Sequence, residues 1–143
     1  MDYNSYHFEH ANELNSLPKP YPYQMAVDNN DIVVNMSDPY NTGCFFDFLS
    51  NVKARISDKI RIMTYGIDNP ELAQKSILEY DGNLFIYTQS SDNVAPMTYY
   101  SDVITTEYYE PAGPLEYYLK MYNEKDITIF SVYTFNINSN III

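Results

Sequence analysis

Tryptophan is absent, glycine occurs four times, cysteine once, and lysine and arginine together supply only eight of 143 residues. Each scarcity closes off a class of function. With Cys44 alone, no intrachain disulfide and no Cys-rich metal site can be built, which suits a reducing compartment. Gly43, Gly66, Gly82 and Gly113 stand far apart, whereas a loop that cradles phosphate needs several glycines close together, so nucleotide binding is not expected. Nineteen acids against eight bases give a formal charge of −11. A phosphate backbone would be repelled, so no direct nucleic-acid contact is expected and any long-range partner should be basic. No apolar run approaches the ~20 residues of a membrane helix, and MDYNSYHFEHANELNSLPKP has neither the basic start nor the apolar core of a secretory signal. The expectation is a cytoplasmic protein with no membrane contact.

What is present is ordinary for one globular domain. Hydrophobic residues make up 45% and charged residues 19%, and a chain of this length buries a core without disulfides or metal. Residues 1–24 read as an N-terminal arm or short helix that leads out through the proline-rich LPKPYPY, and residues 25–143 as a single α+β domain.

Along the chain, Asp31 to Met36 (DIVVNM) has the β-branched density of a strand, and SDPYNTG after it is turn chemistry. The period then changes. Phe45, Phe48, Leu49, Val52 and Ile56 recur at three- and four-residue spacing, which predicts an amphipathic helix over about residues 43–56. Asn41 or Thr42 serves as N-cap, and Lys53 and Arg55 complement the dipole at its end. Lys59 to Tyr65 alternates, with Ile60, Ile62 and Thr64 on one face and Arg61, Met63 and Tyr65 on the other. Ser76 to Tyr80 and Leu84 to Thr88 flank Asp81-Gly82, a strong hairpin signal. A two-residue loop would pair Leu78 with Phe85. A three-residue loop would gather Leu78, Tyr80, Leu84 and Ile86 on one face, and is preferred because it turns Glu79 outward. Asp102 to Tyr109 reads as a strand, Leu115 to Tyr122 as either a short helix or a strand, and Asp126 to Ile137 as a long strand. Together these predict an α+β fold, a mainly antiparallel β-sheet with one main amphipathic helix packed across a face; a cystatin-like wrap is one version of it.

Taken in order, DIVVNM, FFDFLSNVKA, DKIRIMTYGID and ILEYDGNLFIYTQSSD resemble the Firmicute domain of unknown function called DUF4362. Its members show a D-V-V strand, an F-x-x-F helix, I-R-I-x-x-Y-T-I-E and L-x-Y-D-G-x-x-I-x-Y-T. The resemblance covers Val27 to Asp92 and rests most on the IRI strand and the YDG hairpin. Gly66 stands where the family has Thr, and the lipoprotein signal typical of the family is not seen here. The resemblance implies the fold and a bacterial or phage origin. The family has no assigned activity, so it supplies no catalytic residue.

Few residue sets carry chemistry. His7 and His10, with Glu9 and Glu13, share a helical face at metal-ligand spacing, but the competing reading of a solvated arm is favoured and no metal or other cofactor is expected. Cys44 at a helix start has the dipole that lowers a thiol pKa, yet no base lies near it in sequence and Cys beside Phe45 and Phe46 is more often a small buried hydrophobe. Lys53, Arg55, Lys59 and Arg61 cluster where the helix ends and the next strand begins, which charge guarding of a helix end and strand edge explains.

The larger feature is a stretch without a cation. Between Ser76 and Leu119 there is no Lys or Arg, while Glu79, Asp81, Asp92, Asp102, Glu107, Glu110 and Glu116 give seven negative charges and eight tyrosines intervene, at 80, 87, 99, 100, 108, 109, 117 and 118. Tyrosine supplies rigid contact area with a polar tip, and carboxylates steer association. A non-enzymatic binding protein is therefore expected, one that inhibits or neutralises a basic protein or nucleic-acid-binding partner, as an anti-CRISPR or other phage anti-defence protein does, or an immunity protein against a toxin. Its partner-binding residues would be Glu79, Asp81, Asp92, Tyr99, Tyr100, Asp102, Glu107, Tyr108, Tyr109, Glu110 and Glu116. The competing reading is a solvated β-meander whose alternate tyrosines fill the core. A DUF4362-type envelope or housekeeping domain that binds a small ligand or protein is the alternative function.

Overall fold

A computed structural model of the chain describes residues 3–34, 39–66, 72–91, 94–108, 115–122 and 124–132. The fold is α+β, with a mainly antiparallel five-stranded sheet at its centre. Two helices lead in, α1 (Tyr3–Asn15) and the short α2 (Tyr23–Asp28), followed by β1 (Ile32–Val34) and the amphipathic helix α3 (Thr42–Lys53), so that the expected single main helix has a counterpart of similar length in α1. Four strands then complete the central sheet in chain order: β2 (Asp58–Tyr65), β3 (Leu72–Tyr80), β4 (Phe85–Ser91) and β5 (Val94–Ser101). A second sheet follows, made of β6 (Ile104–Tyr108), β7 (Leu115–Leu119) and β8 (Ile127–Val132).

β1 and β2 pair in parallel, Ile32 beside Ile62 and Val34 beside Thr64. A parallel pair cannot be joined by a hairpin, so α3 serves as the crossover between them. That connection departs from a cystatin-like wrap, in which the strands curl antiparallel around the helix. The remaining pairings within each sheet are antiparallel.

The predicted α3 start holds and its end falls earlier than residue 56. Asn41 occupies the N-cap position in the left-handed region, φ 60°. Its side chain does not cap the helix; the amide instead donates to the carbonyls of Val27 (3.1 Å) and Asp31 (2.8 Å) and ties the helix start to α2 and to the residue before β1. At the other end the Arg55 amide donates to the Val52 carbonyl and the Ile56 amide to the Asn51 carbonyl, with Arg55 at φ 57°. This is a Schellman termination, the position glycine usually takes being filled by arginine. Ile56, expected on the buried stripe, is 53% exposed as a result.

Period-2 alternation divides the central sheet between two cores. On one face Ile62, Leu78, Tyr80, Phe85 and Tyr87 pack against Phe45, Phe48 and Leu49 of α3 and against Tyr117, Leu119 and Ile129 of the second sheet. The Phe45 and Tyr117 rings meet edge to face at 4.7 Å. On the other face Met63, Tyr65 and Ile77 pack against Leu14 at the end of α1, Tyr21, and Ala26 of α2. The molecule is thus three layers deep, with the sheet in the middle.

The hairpin between β3 and β4 overturns the expected register. Tyr80 pairs with Phe85, Glu79 with Ile86 and Leu78 with Tyr87, so the loop is neither two nor three residues but the four from Asp81 to Leu84. The Asp81 carboxylate causes the widening: its Oδ1 accepts from the Asn83 amide at 2.9 Å and the Leu84 amide at 2.7 Å, an Asx turn that adds to the glycine-based one. Gly82 takes φ 100°. Because a one-residue slip exchanges faces, Ile86 leaves the side of Leu78 and Tyr80; Glu79, on the opposite face of β3 in any register, is covered by α1 instead of facing outward.

The strand β5, VAPMTYYS, has no counterpart among the predicted strands and contains Pro96, which has no amide to donate. It is accommodated since β5 is the last strand of its sheet, where a missing N–H need not break a ladder. The ambiguous Leu115 to Tyr122 segment is a strand over Leu115–Leu119. The long strand predicted over 126–137 is described as far as Val132; its remainder, with Tyr133, Phe135 and Ile137, and the NSNIII tail lie outside the described residues.

Candidate functional site

Helix α1 crosses the sheet from β5 to β2, and its contacts are mostly polar. Tyr6, His10 and Leu14, at four-residue spacing, form its buried stripe. His10 is 1% exposed; its Nε2 lies 2.7 Å from Glu79 Oε1 on β3 and its Nδ1 2.9 Å from Thr88 Oγ1 on β4. Thr88 Oγ1 lies 2.7 Å from Thr98 Oγ1 on β5, which in turn meets His7 Nδ1 at 2.6 Å. The histidines expected in a solvated arm therefore anchor the helix. Ligand spacing and docking spacing are the same on a helix; the stripe Tyr6–His10–Leu14 was the signal for the latter. Among the described residues no group of three or more His, Cys, Asp and Glu side chains could hold a metal ion.

Further along, the arm closes a polar cleft of about 450 Å³ lined by Glu13, Asp31, Cys44, Asp58, Lys59 and Arg61, among others. Asp31, 3% exposed, accepts from Arg61 Nε at 2.7 Å and from the Tyr21 hydroxyl at 2.5 Å. Tyr21 also accepts from Asn29 Nδ2 at 3.0 Å, and its carbonyl takes the Tyr65 hydroxyl at 2.7 Å. Burial pulls the Arg61 pKa down, but the bond and charge of Asp31 more than reverse this and raise it above the ordinary arginine value. Glu13 bridges to Lys59 Nζ at 2.8 Å and more loosely to Arg61 Nη1 at 3.7 Å. Two of the four cations in the predicted basic cluster are thus committed to partners within the chain, and Arg55 ends the helix through its backbone.

Cys44 stands at the α3 start and at the rim of this cleft. Its thiol pKa is raised, by burial first and then by the charges of Asp47 and Asp58. The lowering expected at a helix start is outweighed, first by burial and then by those two carboxylates. A thiol held protonated is a poor nucleophile.

The acidic, tyrosine-bearing stretch is divided by the fold. Tyr80, Tyr87 and Tyr117 are buried in the core, and burial pushes the Tyr87 phenol up to about 12. Glu79 is given to His10, and Asp81 to the hairpin turn. Tyr99 and Tyr100 are half-buried neighbours on β5 that face opposite sides of the sheet. Asp102, directly after β5, is exposed and accepts from the Tyr122 hydroxyl at 2.8 Å, and Tyr122 is 67% exposed. Glu116 on β7 sits opposite Glu107 on β6 and accepts a short bond from the Tyr118 hydroxyl. Tyr108 pairs with Leu115. Asp92, Tyr109 and Glu110 lie outside the described residues. Of the described part of the stretch, the fold thus leaves Asp102 exposed at one end of β5 with Tyr122 as its partner, while Tyr99 and Tyr100 stand half-buried on either face of the strand. Tyr122 falls outside the cation-free stretch, and its partnership with Asp102 across twenty residues left no local signal.

Ser101 joins this end to the second sheet. Its hydroxyl donates to the Lys120 carbonyl at 2.6 Å, and the Lys120 amide donates to the Val103 carbonyl at 3.0 Å. No helix among the described residues is long and apolar enough to cross a membrane. Compared with models of known families, with curated proteins and with solved structures, the chain matches none.

Proposed function

We propose that this chain is a non-enzymatic, acidic binding protein that captures and neutralises a basic macromolecular partner, in the manner of a phage anti-defence protein such as an anti-CRISPR or of a toxin-immunity protein. The observation that carries the reading is the surface around the end of β5. From β4 through β7 the chain has no lysine or arginine, and just past the end of β5 the exposed carboxylate of Asp102 accepts from the exposed Tyr122 hydroxyl, with Tyr99 and Tyr100 half-buried on opposite faces of the strand before it. Rigid aromatic area beside uncompensated negative charge favours a basic protein surface. The raised Cys44 pKa supports binding over covalent catalysis.

The test is capture by the tagged chain from bacterial lysates at low and high salt, run beside an Asp102→Lys/Glu116→Lys variant. A basic protein held at low salt, released by high salt and lost from the variant is the expected result. Equal retention by the variant would remove this face from the reading, and no basic protein held from several hosts would sink the reading itself.

A second reading, a DUF4362-type envelope or housekeeping domain that binds a small ligand, is favoured by the cleft beside Arg61 and Lys59. Thermal-shift screening with small polar metabolites, wild type against Lys59→Ala, separates it from the first.

A further inference from the structure

The two edges of the central sheet differ in how they are finished. β1 has only three residues, and Tyr40 closes it: Val33 donates to the Tyr40 carbonyl and Tyr40 to the Val33 carbonyl, both at 3.0 Å. β5 is eight residues long and ends the strand order on the other side, with no further strand beside it among the described residues. Exposed strand edges are ordinarily guarded by lysine, by inward-pointing charge or by a covering segment. β5 carries no charged residue, its one guard is Pro96, and it exposes Val94 (53%) and Met97 (51%).

We propose that β5 is a docking edge to which an extended, lysine- or arginine-bearing segment of the partner protein adds as a further strand. The proposal rests on the binding-protein reading above and supplies its mode of recognition. Main-chain hydrogen bonds along Met97–Ser101, beyond the proline, give the attachment, and alternate side chains of the added strand meet Met97 and Tyr99 on one face and Thr98 and Tyr100 on the other.

Charge selects the occupant. A second copy would bring together two chains of formal charge −11, which oppose each other at low salt. The end of β5 is locally negative as well. The pairing of Phe85 with Ser101 sets the Asp81 turn beside Asp102, and the Tyr6 hydroxyl on α1 has its pKa raised, by burial first and then by Asp81, Glu79 and Glu9. Lys120, whose main chain meets Ser101, turns its ammonium toward Asp126 at 3.7 Å. A cationic strand is therefore attracted where an acidic one is repelled.

The test uses the full chain and a short synthetic peptide alternating lysine and valine. Two controls accompany it, a glutamate-for-lysine version and one N-methylated at every second amide. Amide hydrogen exchange is read by NMR. The expected result is slowed exchange over Met97–Ser101 with the basic peptide, roughly tenfold or more weaker binding when it is N-methylated, and none with the acidic peptide. Equal binding of the N-methylated peptide, or protection centred elsewhere, overturns strand addition at β5. If a basic protein is nevertheless captured in the lysate experiment, the binding-protein reading survives that result. Protection of β5 in the free chain that rises with protein concentration would assign the edge to a second copy. Protection lost on deleting residues 133–143 would assign it to the chain's own tail; either result overturns the proposal.

Discussion

His10 and Glu79, 69 positions apart, meet at 2.7 Å between Nε2 and Oε1, with the imidazole all but excluded from water. The second ring nitrogen is taken by Thr88, so both polar atoms of a buried ring are satisfied by strands of the sheet it covers. α1 has little apolar surface to bury, and this polar pairing fixes where it lies.

Replacing His10 with alanine leaves the Thr88 hydroxyl and the Glu79 carboxylate short of a partner and opens a cavity. A loss of about 2–3 kcal/mol is expected from urea denaturation. Phe8→Ala, on the same helix but 64% exposed, should change stability by under ~0.5 kcal/mol. Equal effects of the two would mean that His10 does not anchor α1.

The pair Asp31–Arg61 should outweigh Glu13–Lys59, although their bonds are alike in length. The side chains of the first pair are 3% and 21% exposed, those of the second 30% and 45%. Asp31→Ala strands a guanidinium and is expected to cost about 3–5 kcal/mol. Double-mutant coupling for the exposed pair should fall within about 0–1 kcal/mol. A coupling for Glu13–Lys59 as large as that for Asp31–Arg61 would contradict the burial argument.

Arg55 closes α3 in a left-handed conformation, φ 57°. Glycine reaches that region without the Cβ conflict that arginine meets, so Arg55→Gly should raise stability by about 0.5–1 kcal/mol. A lower denaturation midpoint would show that the Arg55 side chain has a stabilising contact of its own.

Alkaline pH should unfold the protein through its buried phenols. Tyr87 has its pKa raised from 10.0 to about 12 in the fold, so the folded state holds this proton more tightly than the unfolded chain. Its contribution is complete below pH 10 and is lost as pH rises toward 12, at most about 2–3 kcal/mol. Tyr87→Phe should flatten the decline of stability between those values, measured by chemical denaturation at stepped pH. An unchanged slope would place the titration elsewhere.

Local rules found the elements whose signals are carried by near neighbours. The α3 stripe of Phe45, Phe48 and Leu49, the alternation of β2 and the Asp81-Gly82 hairpin all follow from spacing and turn chemistry. They missed where a side chain bonds backbone beyond its own residue and where a residue other than glycine takes a left-handed backbone. Asp81 accepts two amides and lengthens its loop, and Arg55 takes a glycine's role and cuts α3 short. No strand was expected over β5, and its Pro96 fits only an edge position, which no local rule distinguishes from a break in a central strand.

The amino-acid sequence by itself determined the acidity, the cation-free stretch from Ser76 to Leu119, the α+β class and the strand faces of β2, because composition and periodicity are properties of the chain alone. Tertiary structure decided which of those residues remain available. It buried Tyr80, Tyr87 and Tyr117, gave Glu79 to His10, and left Asp102 exposed with Tyr122 just past β5, the strand that ends its sheet among the described residues. The reason is physical: a side chain's exposure depends on register and on the layer packed above it, and both are fixed by contacts between residues far apart in the chain.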